Sequence, residues 1–481
     1  MIREAVGAHA RENPDAPAVQ TLDHTESYGA LDARTDRLAR RIAGLGLAPG
    51  AVVGVLVRDP PTMWAALLAL EHLGLVSFSF YSVPLDPEAM ALVRPRVVLT
   101  DVDQFAGDPR FASVSAEGED GPAPPAARAR PDDPIRLHVS SGTTGAPKQV
   151  LWTRRILEAR VRNILERNLP PAARSLSLFR PGTGIGLQTP MATLLQGGAV
   201  LAAEQLQWDP AFWSLRPNLI SLTPPRLQEA VLSLPHGHRL DPDLRIVTGG
   251  SPTPRSVVRE TVARISPNLT SWYGASEVGG VAENDAAMML GMESAVGRVL
   301  DGVEVQIVGE DDAPLATGKA GRVRVRTPVM VDGYLGDAVQ TGQHFKDGWF
   351  YPGDGGVLSA DGVLVLSGRT SDVLNFGGTK ISPEQVEAIA LAVRGVLDAA
   401  VFSLPGVRNL PMLCVAVKTG PSYAEAALIK ALSDNIALRP IRTFTVRQIP
   451  RNSSGKIQRD LLRGLVKAQG GWRAGTRPRP R

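Results

Sequence analysis

Residues 139–150 read VSSGTTGAPKQV and combine hydroxyl side chains, small turn-forming residues and one lysine. Glycine lets the backbone turn its amide groups toward an anion, the hydroxyls add donors, and Lys148 supplies a compensating positive charge. The spacing of Gly142, Gly145 and Lys148 differs from the Walker A pattern, in which Gly and Lys adjoin and Ser or Thr follows. The segment predicts a phosphate-binding loop of another kind. Taken alone, it is also compatible with an ordinary surface hairpin. The candidate phosphate contacts are Ser140, Ser141, Gly142, Thr143, Thr144, Gly145 and Lys148.

Four later segments also carry glycine, hydroxyl or charged residues in compact patterns. They are SWYGASE (271–277), WFYPGD (349–354), GRTSDVLNFGGTKISPEQVE (368–387) and IPRNSSGKIQR (449–459). Together with residues 139–150, they resemble in order the motifs of the adenylate-forming superfamily, which includes acyl-CoA synthetases, adenylation domains of nonribosomal peptide synthetases and beetle luciferases. Each segment alone is a weak signal, but five ordered matches are specific, and the resemblance extends over nearly the whole chain.

The composition is that of an ordinary globular protein. Of its residues, 43% are hydrophobic and 21% are charged. The length of 481 residues is enough for one large domain and a smaller one. The net charge of +4 invites a nucleic-acid interpretation. However, four arginines lie in a Pro/Gly-rich tail at residues 469–481, which we expect to be disordered and solvated rather than to bind nucleic acid.

The chain contains a single cysteine, Cys414. This count excludes an intrachain disulfide and a cysteine zinc cluster, and the apolar run 412–417 around Cys414 indicates a core residue rather than a nucleophile. The first residues have no apolar signal core, and the most apolar segment, 63–80, is interrupted by Glu71 and Gly74. We therefore expect no membrane span and a cytoplasmic location.

The first part of the chain alternates helical patterns with continuous apolar runs. Such runs are typical of parallel strands that are buried on both faces, so the sequence predicts an α/β fold of mostly parallel sheets covered by helices. Short alternating strands between residues 302 and 351 predict a small antiparallel subdomain. A small α+β domain is expected after it. The predicted elements are helices 28–45, 62–73, 156–168 and 382–392, and strands 52–57, 75–80, 97–100, 176–179 and 413–417.

The resemblance implies a domain organisation and a nucleotide site. Residues 1–368 would form the AMP-binding domain, 369–371 a hinge linker with its pivot at Ser371 or Asp372, and 372–468 a mobile C-terminal domain. Glu277, with Thr144, would hold Mg²⁺ while the ion bridges phosphate oxygens. Asp354 would bind the ribose hydroxyls and Arg369 the ribose and phosphate. The other implied nucleotide contacts are Gly250, Ser251, Pro252, Trp272, Tyr273, Gly274, Ala275 and Ser276.

The resemblance also implies two reaction steps on one site. Lys456 would neutralise the repulsion between a carboxylate and the α-phosphate of ATP while the acyl-adenylate forms. After rotation of the small domain, Gly377 and Gly378 would line the tunnel for the pantetheine arm of coenzyme A. The acceptor could instead be the phosphopantetheine arm of an acyl carrier protein, and the sequence does not separate the two.

Phe179 and Arg180 lie where the resemblance implies the acyl pocket and the thiol entry. Amino-acid-activating members place an aspartate at this point, so Arg180 argues against an α-amino acid substrate. Arg180 could pair with an acidic group of the substrate, or point to solvent. A homologue without catalytic activity would be expected to lack Lys456, Glu277 or Asp354, and all three are present. A phosphotransferase is disfavoured because the Walker and kinase patterns are missing.

Overall fold

Apolar runs of the sequence form the central strands of two large sheets in the computed structural model. The structure describes residues 2–114, 130–140, 147–238, 241–292, 294–369, 374–376, 379–405, 411–420, 422–436, 441–451 and 457–468. The α/β fold predicted from the sequence is confirmed. Among the described residues, no helix is long and apolar enough to cross a lipid bilayer.

The first sheet has six strands in the order β6-β5-β3-β4-β7-β8, and all its pairings are parallel except that of β7 with β8. Its strands are β3 (Val52–Leu56), β4 (Val76–Ser79), β5 (Val97–Thr100), β6 (Phe111–Ser113), β7 (Pro134–Ser140) and β8 (Lys148–Thr153). The first helices are α1 (Ile2–Glu12), α2 (Tyr28–Ala43), α3 (Pro60–His72) and α4 (Pro87–Val93), with a 3₁₀ turn at Asp103–Phe105.

Helix α3 shows how local sequence sets these elements. Asp59 accepts a hydrogen bond from the Thr62 amide, and Pro60 occupies the first turn, where its missing N–H has no cost. Nearly every residue of α3 is buried, which explains why its sequence is apolar on all sides.

The second sheet has fifteen strands and changes character along its length. The pairings from β1 through β10, β9, β11 and β12 to β13 are parallel, and those from β13 through β14, β15, β21 and β20 to β17 are antiparallel. The strands predicted between residues 302 and 351 are therefore antiparallel, as expected, and they continue this sheet.

The strands of the second sheet are β1 (Pro17–Gln20), β2 (Thr25–Ser27), β9 (Arg174–Ser177), β10 (Ala199–Leu201), β11 (Leu219–Leu222), β12 (Arg245–Gly249), β13 (Asn268–Ala275), β14 (Gly279–Asp285), β15 (Ala295–Val299), β16 (Glu304–Val308), β17 (Gly321–Arg326), β18 (Phe345–Lys346), β19 (Trp349–Phe350), β20 (Asp354–Leu358) and β21 (Val363–Arg369). The helices of this region are α5 (Arg154–Arg167), α6 (Gly184–Gln196), α7 (Pro210–Ser214), α8 (Pro224–Leu232), α9 (Arg255–Arg264), α10 (Ala286–Gly291) and α11 (Ala338–His344).

The C-terminal region has its own small core. Strands β24 (Val396–Pro405), β25 (Pro411–Thr419) and β26 (Ile441–Thr445) form a three-stranded sheet, and β22 (Leu374–Phe376) pairs with β23 (Thr379–Ile381). Helices α12 (Pro383–Leu391), α13 (Glu425–Asn435) and α14 (Arg459–Ala468) complete it. Cys414 on β25 is fully buried, as predicted, and burial raises the pKa of its thiol to about 12.

Most predicted elements differ from the structure by one or two residues at an end, and three differences fall in segments that carry predicted site residues. The strand expected at 176–179 is β9 at Arg174–Ser177, because pairing with β10 and β11 begins earlier. No strand was predicted at 271–277, but most of this segment lies in β13, which is hydrogen-bonded on both sides. Arg369, the first residue of the predicted linker, is the last residue of β21. Ser371, Asp372 and the tail 469–481 lie outside the described residues.

Candidate active site

The buried carboxylate of Asp354 is the centre of one polar cluster. Asp354 begins β20 and pairs with Arg369, the last residue of β21. The Arg369 Nε lies 2.9 Å from Asp354 Oδ1, and the Tyr273 hydroxyl donates to Asp354 Oδ2. Removal from water and the nearby carboxylate hold the pKa of Tyr273 well above its ordinary value, so the hydroxyl keeps its proton and remains a donor. The sequence-predicted residues Tyr273, Asp354 and Arg369 thus come together.

A second cluster surrounds Glu277, which follows the end of β13 and is 7% exposed. The Tyr334 hydroxyl donates to Glu277 Oε1 at 2.9 Å. Burial raises the pKa of Tyr334, and the Glu277 carboxylate raises it further. The phenol is therefore a permanent donor that fixes one oxygen of Glu277.

Arg160 supports the backbone on which Glu277 sits. Its guanidinium donates to the Ser276 carbonyl at 2.9 Å, to the Glu277 carbonyl at 3.1 Å and to the Val329 carbonyl at 2.7 Å. It also lies 4.4 Å from the ring centroid of Trp152, whose indole N–H donates to the same Ser276 carbonyl. Burial lowers the pKa of Arg160, and Glu277 opposes the shift. This buried cation therefore stabilises the turn that orients the Glu277 side chain.

Lys148 reaches the same region from the first sheet. It begins β8 and pairs with Ser140 at the end of β7, so these two residues close the predicted phosphate loop. Lys148 Nζ lies 2.8 Å from His344 Nε2 and 4.8 Å from the centroid of the Tyr334 ring. Burial lowers the pKa of Lys148, and the carboxylate of Glu277 opposes that effect.

The residues after β12 lie beside β13, because Gly249 pairs with Trp272. A side chain at Gly249 would contact Ile185 Cδ1 and the Trp272 carbonyl. Gly250 has φ 87°, a conformation that favours glycine, and leads into Ser251 and Pro252. Gly274 has a packing reason of its own, since a Cβ there would overlap the Gly279 carbonyl oxygen in the β13–β14 hairpin. Ala275 ends β13.

The predicted acyl-pocket residues lie on opposite sides of their segment. Phe179 is 5% exposed, whereas Arg180 is exposed and its guanidinium lies 5.3 Å from the Tyr81 ring centroid. Beneath them, the fully buried Arg136 donates to the hydroxyls of Ser77 and Ser79. It also donates to the Pro181 carbonyl.

Several predicted site residues lie outside the described residues, and their roles stay predictions. They are Ser141, Gly142, Thr143, Thr144, Gly145, Gly377, Gly378 and Lys456.

Sequence reasoning missed Arg160, Tyr334 and His344. Arg160 had a signal, because it falls within the apolar stripe of α5 with Ile156 and Ile164, where a charge is unexpected. Tyr334 stands between Gly333 and Gly336, an unusual place for a large side chain, and His344 had no local signal.

The donor set fits a magnesium ion better than a transition metal. Within the described ranges, no three His, Cys, Asp or Glu side chains cluster as metal ligands. Mg²⁺ is commonly held by one or two carboxylates together with substrate phosphates and water. The buried carboxylate of Glu277 near Lys148 matches that pattern.

Comparisons with known proteins agree with these motifs. Residues 6–335 match the family model described as AMP-binding enzyme. The chain is 27% identical to indoleacetate–CoA ligase of Aromatoleum aromaticum, over 97% of this chain and 98% of the relative. It is 27% identical to the medium/long-chain-fatty-acid–[acyl-carrier-protein] ligase FadD10 of Mycobacterium tuberculosis, over 97% and 96%. The o-succinylbenzoate CoA synthetase of Bacillus subtilis, solved with its acyl-adenylate, has a TM-score of 0.82 at 21% identity, covering 95% and 97% of the two chains, which shows a shared fold.

Proposed function

Because this chain belongs to the AMP-binding enzyme family, we propose that it activates a carboxylic acid with ATP and transfers the acyl group to a thiol, most simply that of coenzyme A. The observation that carries the proposal is that three separated sequence segments meet at the β13–β14 hairpin. They bring together Glu277 with Tyr334, Asp354 with Arg369, and the cation Lys148.

In the first step, a carboxylate oxygen of the acid attacks the α-phosphorus of ATP. A new O–P bond forms, the bond to the bridging oxygen breaks, and pyrophosphate leaves with that electron pair. Two anions must approach each other, so fixed cations near the phosphates lower the barrier. We assign this work to Lys148 and Lys456, and nucleotide positioning to Tyr273, Asp354 and Arg369.

Glu277, with Thr144, would hold Mg²⁺, which when bound neutralises phosphate charge. Structures of the o-succinylbenzoate synthetase that shares this fold were solved with its acyl-adenylate and with ATP and magnesium ion. Tyr334 keeps one Glu277 oxygen fixed, so the carboxylate presents its remaining lone pairs in a constant direction.

In the second step, the thiol gives its proton to solvent and its sulfur attacks the acyl carbon. The bond from that carbon to the adenylate oxygen breaks, and AMP leaves with that electron pair. The curated relatives include both CoA ligases and acyl-carrier-protein ligases. Coenzyme A is our proposal for the acceptor here, and a carrier protein is the alternative. Domain alternation at 369–371 would let Lys456 serve the first step and Gly378 the second.

The test of the proposed function is a panel of aliphatic, aryl and dicarboxylic acids offered with ATP and Mg²⁺. Pyrophosphate exchange reads the first step, and thioester formation with coenzyme A or a carrier protein reads the second. Exchange with at least one acid is expected. If no acid of any class supports exchange while the folded protein binds ATP, the proposal fails.

Domain alternation is tested with paired variants. Lys456→Ala should reduce adenylate formation by roughly 10²–10³-fold and leave thioester formation from supplied acyl-adenylate nearly intact. Gly378→Trp should do the reverse. Equal damage to both steps in both variants would contradict alternation.

Arg180 suggests a substrate that carries a second acidic group. Its guanidinium is exposed beside Tyr81, and the described residues offer it no carboxylate within salt-bridge distance. Arg180→Ala should then raise KM for a diacid more than for a neutral acyl chain. Equal changes in KM would assign Arg180 to solvent.

A further inference from the structure

We propose that His344 is a positioning residue for Lys148, and that it does this as a neutral imidazole that accepts a hydrogen bond from the lysine. The inference rests on the proposed function, which gives Lys148 its role near the phosphates. The contact between His344 and Lys148 is itself a feature of the fold. His344 is the last residue of α11, and no sequence motif gave this part of the chain a functional role.

The hydrogen-bond partners of the ring define its protonation state. Nδ1 lies 2.9 Å from the Tyr351 carbonyl, which can only accept, so Nδ1 carries the proton. Nε2 lies 2.8 Å from Lys148 Nζ. An ammonium group can only donate, so Nε2 presents its lone pair. Both contacts are satisfied together by a single form, the neutral imidazole protonated at Nδ1.

The ring is also fixed in place by its surroundings. The Tyr351 amide donates to the His344 carbonyl at 2.7 Å, so two hydrogen bonds join these residues. The ring stacks on Phe350 with an angle of 27° between planes and meets the Tyr334 ring edge to face. Lys148 is a flexible side chain with four methylene groups, and a rigid acceptor at its tip restricts the positions that the ammonium can take.

The charges around this contact explain why the neutral form of His344 is needed to hold Lys148. Burial lowers the pKa of Lys148, the carboxylates of Glu277 and Asp337 oppose this shift, and the cation Arg369 adds to it. Apart from Lys148, the groups described in contact with the His344 ring are neutral: the phenol of Tyr334, the ring of Phe350 and the backbone of Tyr351. A proton on Nε2 would remove the acceptor and place a second cation against the Lys148 ammonium. Lys148 would then leave its position.

Two substitutions separate the functions of the ring. His344→Gln keeps an acceptor oxygen that does not titrate, and His344→Phe keeps a flat ring without an acceptor. Losing a hydrogen bond to a charged donor corresponds to about a tenfold loss or more. We expect His344→Phe to weaken ATP binding by about tenfold. His344→Gln should retain most of the wild-type affinity, because its amide oxygen can accept the hydrogen bond from Lys148.

The measurement is the Kd for ATP by calorimetry, with pyrophosphate exchange alongside. His24→Gln, which alters an exposed histidine paired with Glu26, is the matched control and should keep the wild-type affinity. In a Lys148→Ala background, His344→Phe should have no further effect on affinity, since its action passes through Lys148. Thermal unfolding of each variant reports on folding.

The proposal is overturned if His344→Phe binds ATP like the wild type, or if His344→Gln loses as much affinity as His344→Phe. It is also overturned if His344→Phe weakens binding equally with and without Lys148. Failure to find any acid that supports exchange would count against the proposed function alone, because the ATP affinities test His344 without an acid substrate.

Discussion

Replacing Tyr334 by phenylalanine tests the link between the fold and the magnesium site. The change removes only the hydroxyl that donates to Glu277 Oε1 at 2.9 Å, and the ring that faces Lys148 at 4.8 Å remains. A hydrogen bond to a charged group contributes about 1.5–3 kcal/mol. Loss of a partner that orients a metal ligand typically weakens metal affinity or activity by about 10–100-fold, which is close to the same free energy.

We therefore expect Tyr334→Phe to raise the Mg²⁺ concentration required for half-maximal pyrophosphate exchange by about 10–100-fold. The assay is exchange at saturating ATP over a series of Mg²⁺ concentrations. Tyr351→Phe is the matched control, because it removes a buried tyrosine hydroxyl whose partners are Arg324 and Asp312 rather than Glu277. A folded Tyr334→Phe protein with the wild-type Mg²⁺ dependence would refute the reasoning, and so would an equal shift in Tyr351→Phe.

Three further variants test separate parts of the molecule. Asp354→Ala should weaken ATP binding by about 1.5–3 kcal/mol, measured by calorimetry, and unchanged affinity would show that the ribose binds elsewhere. Arg160→Met should lower the free energy of unfolding by about 1–3 kcal/mol in urea titrations, because the Val329 carbonyl loses both of its described donors; a fully stable variant would contradict this support role. Burial raises the pKa of Glu387 to about 7 against the effect of Arg459, so the folded state holds a proton that the unfolded chain releases near pH 4.5. As the pH rises from about 4.5 to about 7, the stability of the C-terminal region should therefore fall by on the order of 3 kcal/mol. Glu387→Gln should remove this dependence of stability on pH. A wild-type stability that does not change with pH would exclude this effect.

The sequence predicted the elements whose hydrophobic pattern is local. Strand β5 has the predicted bounds, and β3, α3 and α5 differ from prediction by one or two residues at an end. Continuous apolar runs indicate buried parallel strands wherever they occur. Strand β13 was not predicted, because its glycine and aromatic residues resemble a nucleotide loop and its strand character comes from pairing with β12 and β14.

The candidate site was predictable in its motifs but not in its contacts. Tyr273, Asp354 and Arg369 belong to motifs that the sequence singled out, and the structure brings them together. The partners of Glu277 and Lys148 are 57 and 196 residues away in the chain. No periodicity connects such positions, because these contacts form only when distant segments of the chain fold against one another.

The burial of Cys414 has a practical consequence for studying motion in this protein. The chain has no other cysteine, and this thiol is fully enclosed with its pKa raised to about 12, so very little reactive thiolate forms at neutral pH. Cysteines introduced at an exposed position on each side of residues 369–371 should therefore take up a fluorophore pair without prior removal of the native one. Energy transfer between the dyes would then follow the separation of the two regions as nucleotide, acid and acceptor are added in turn.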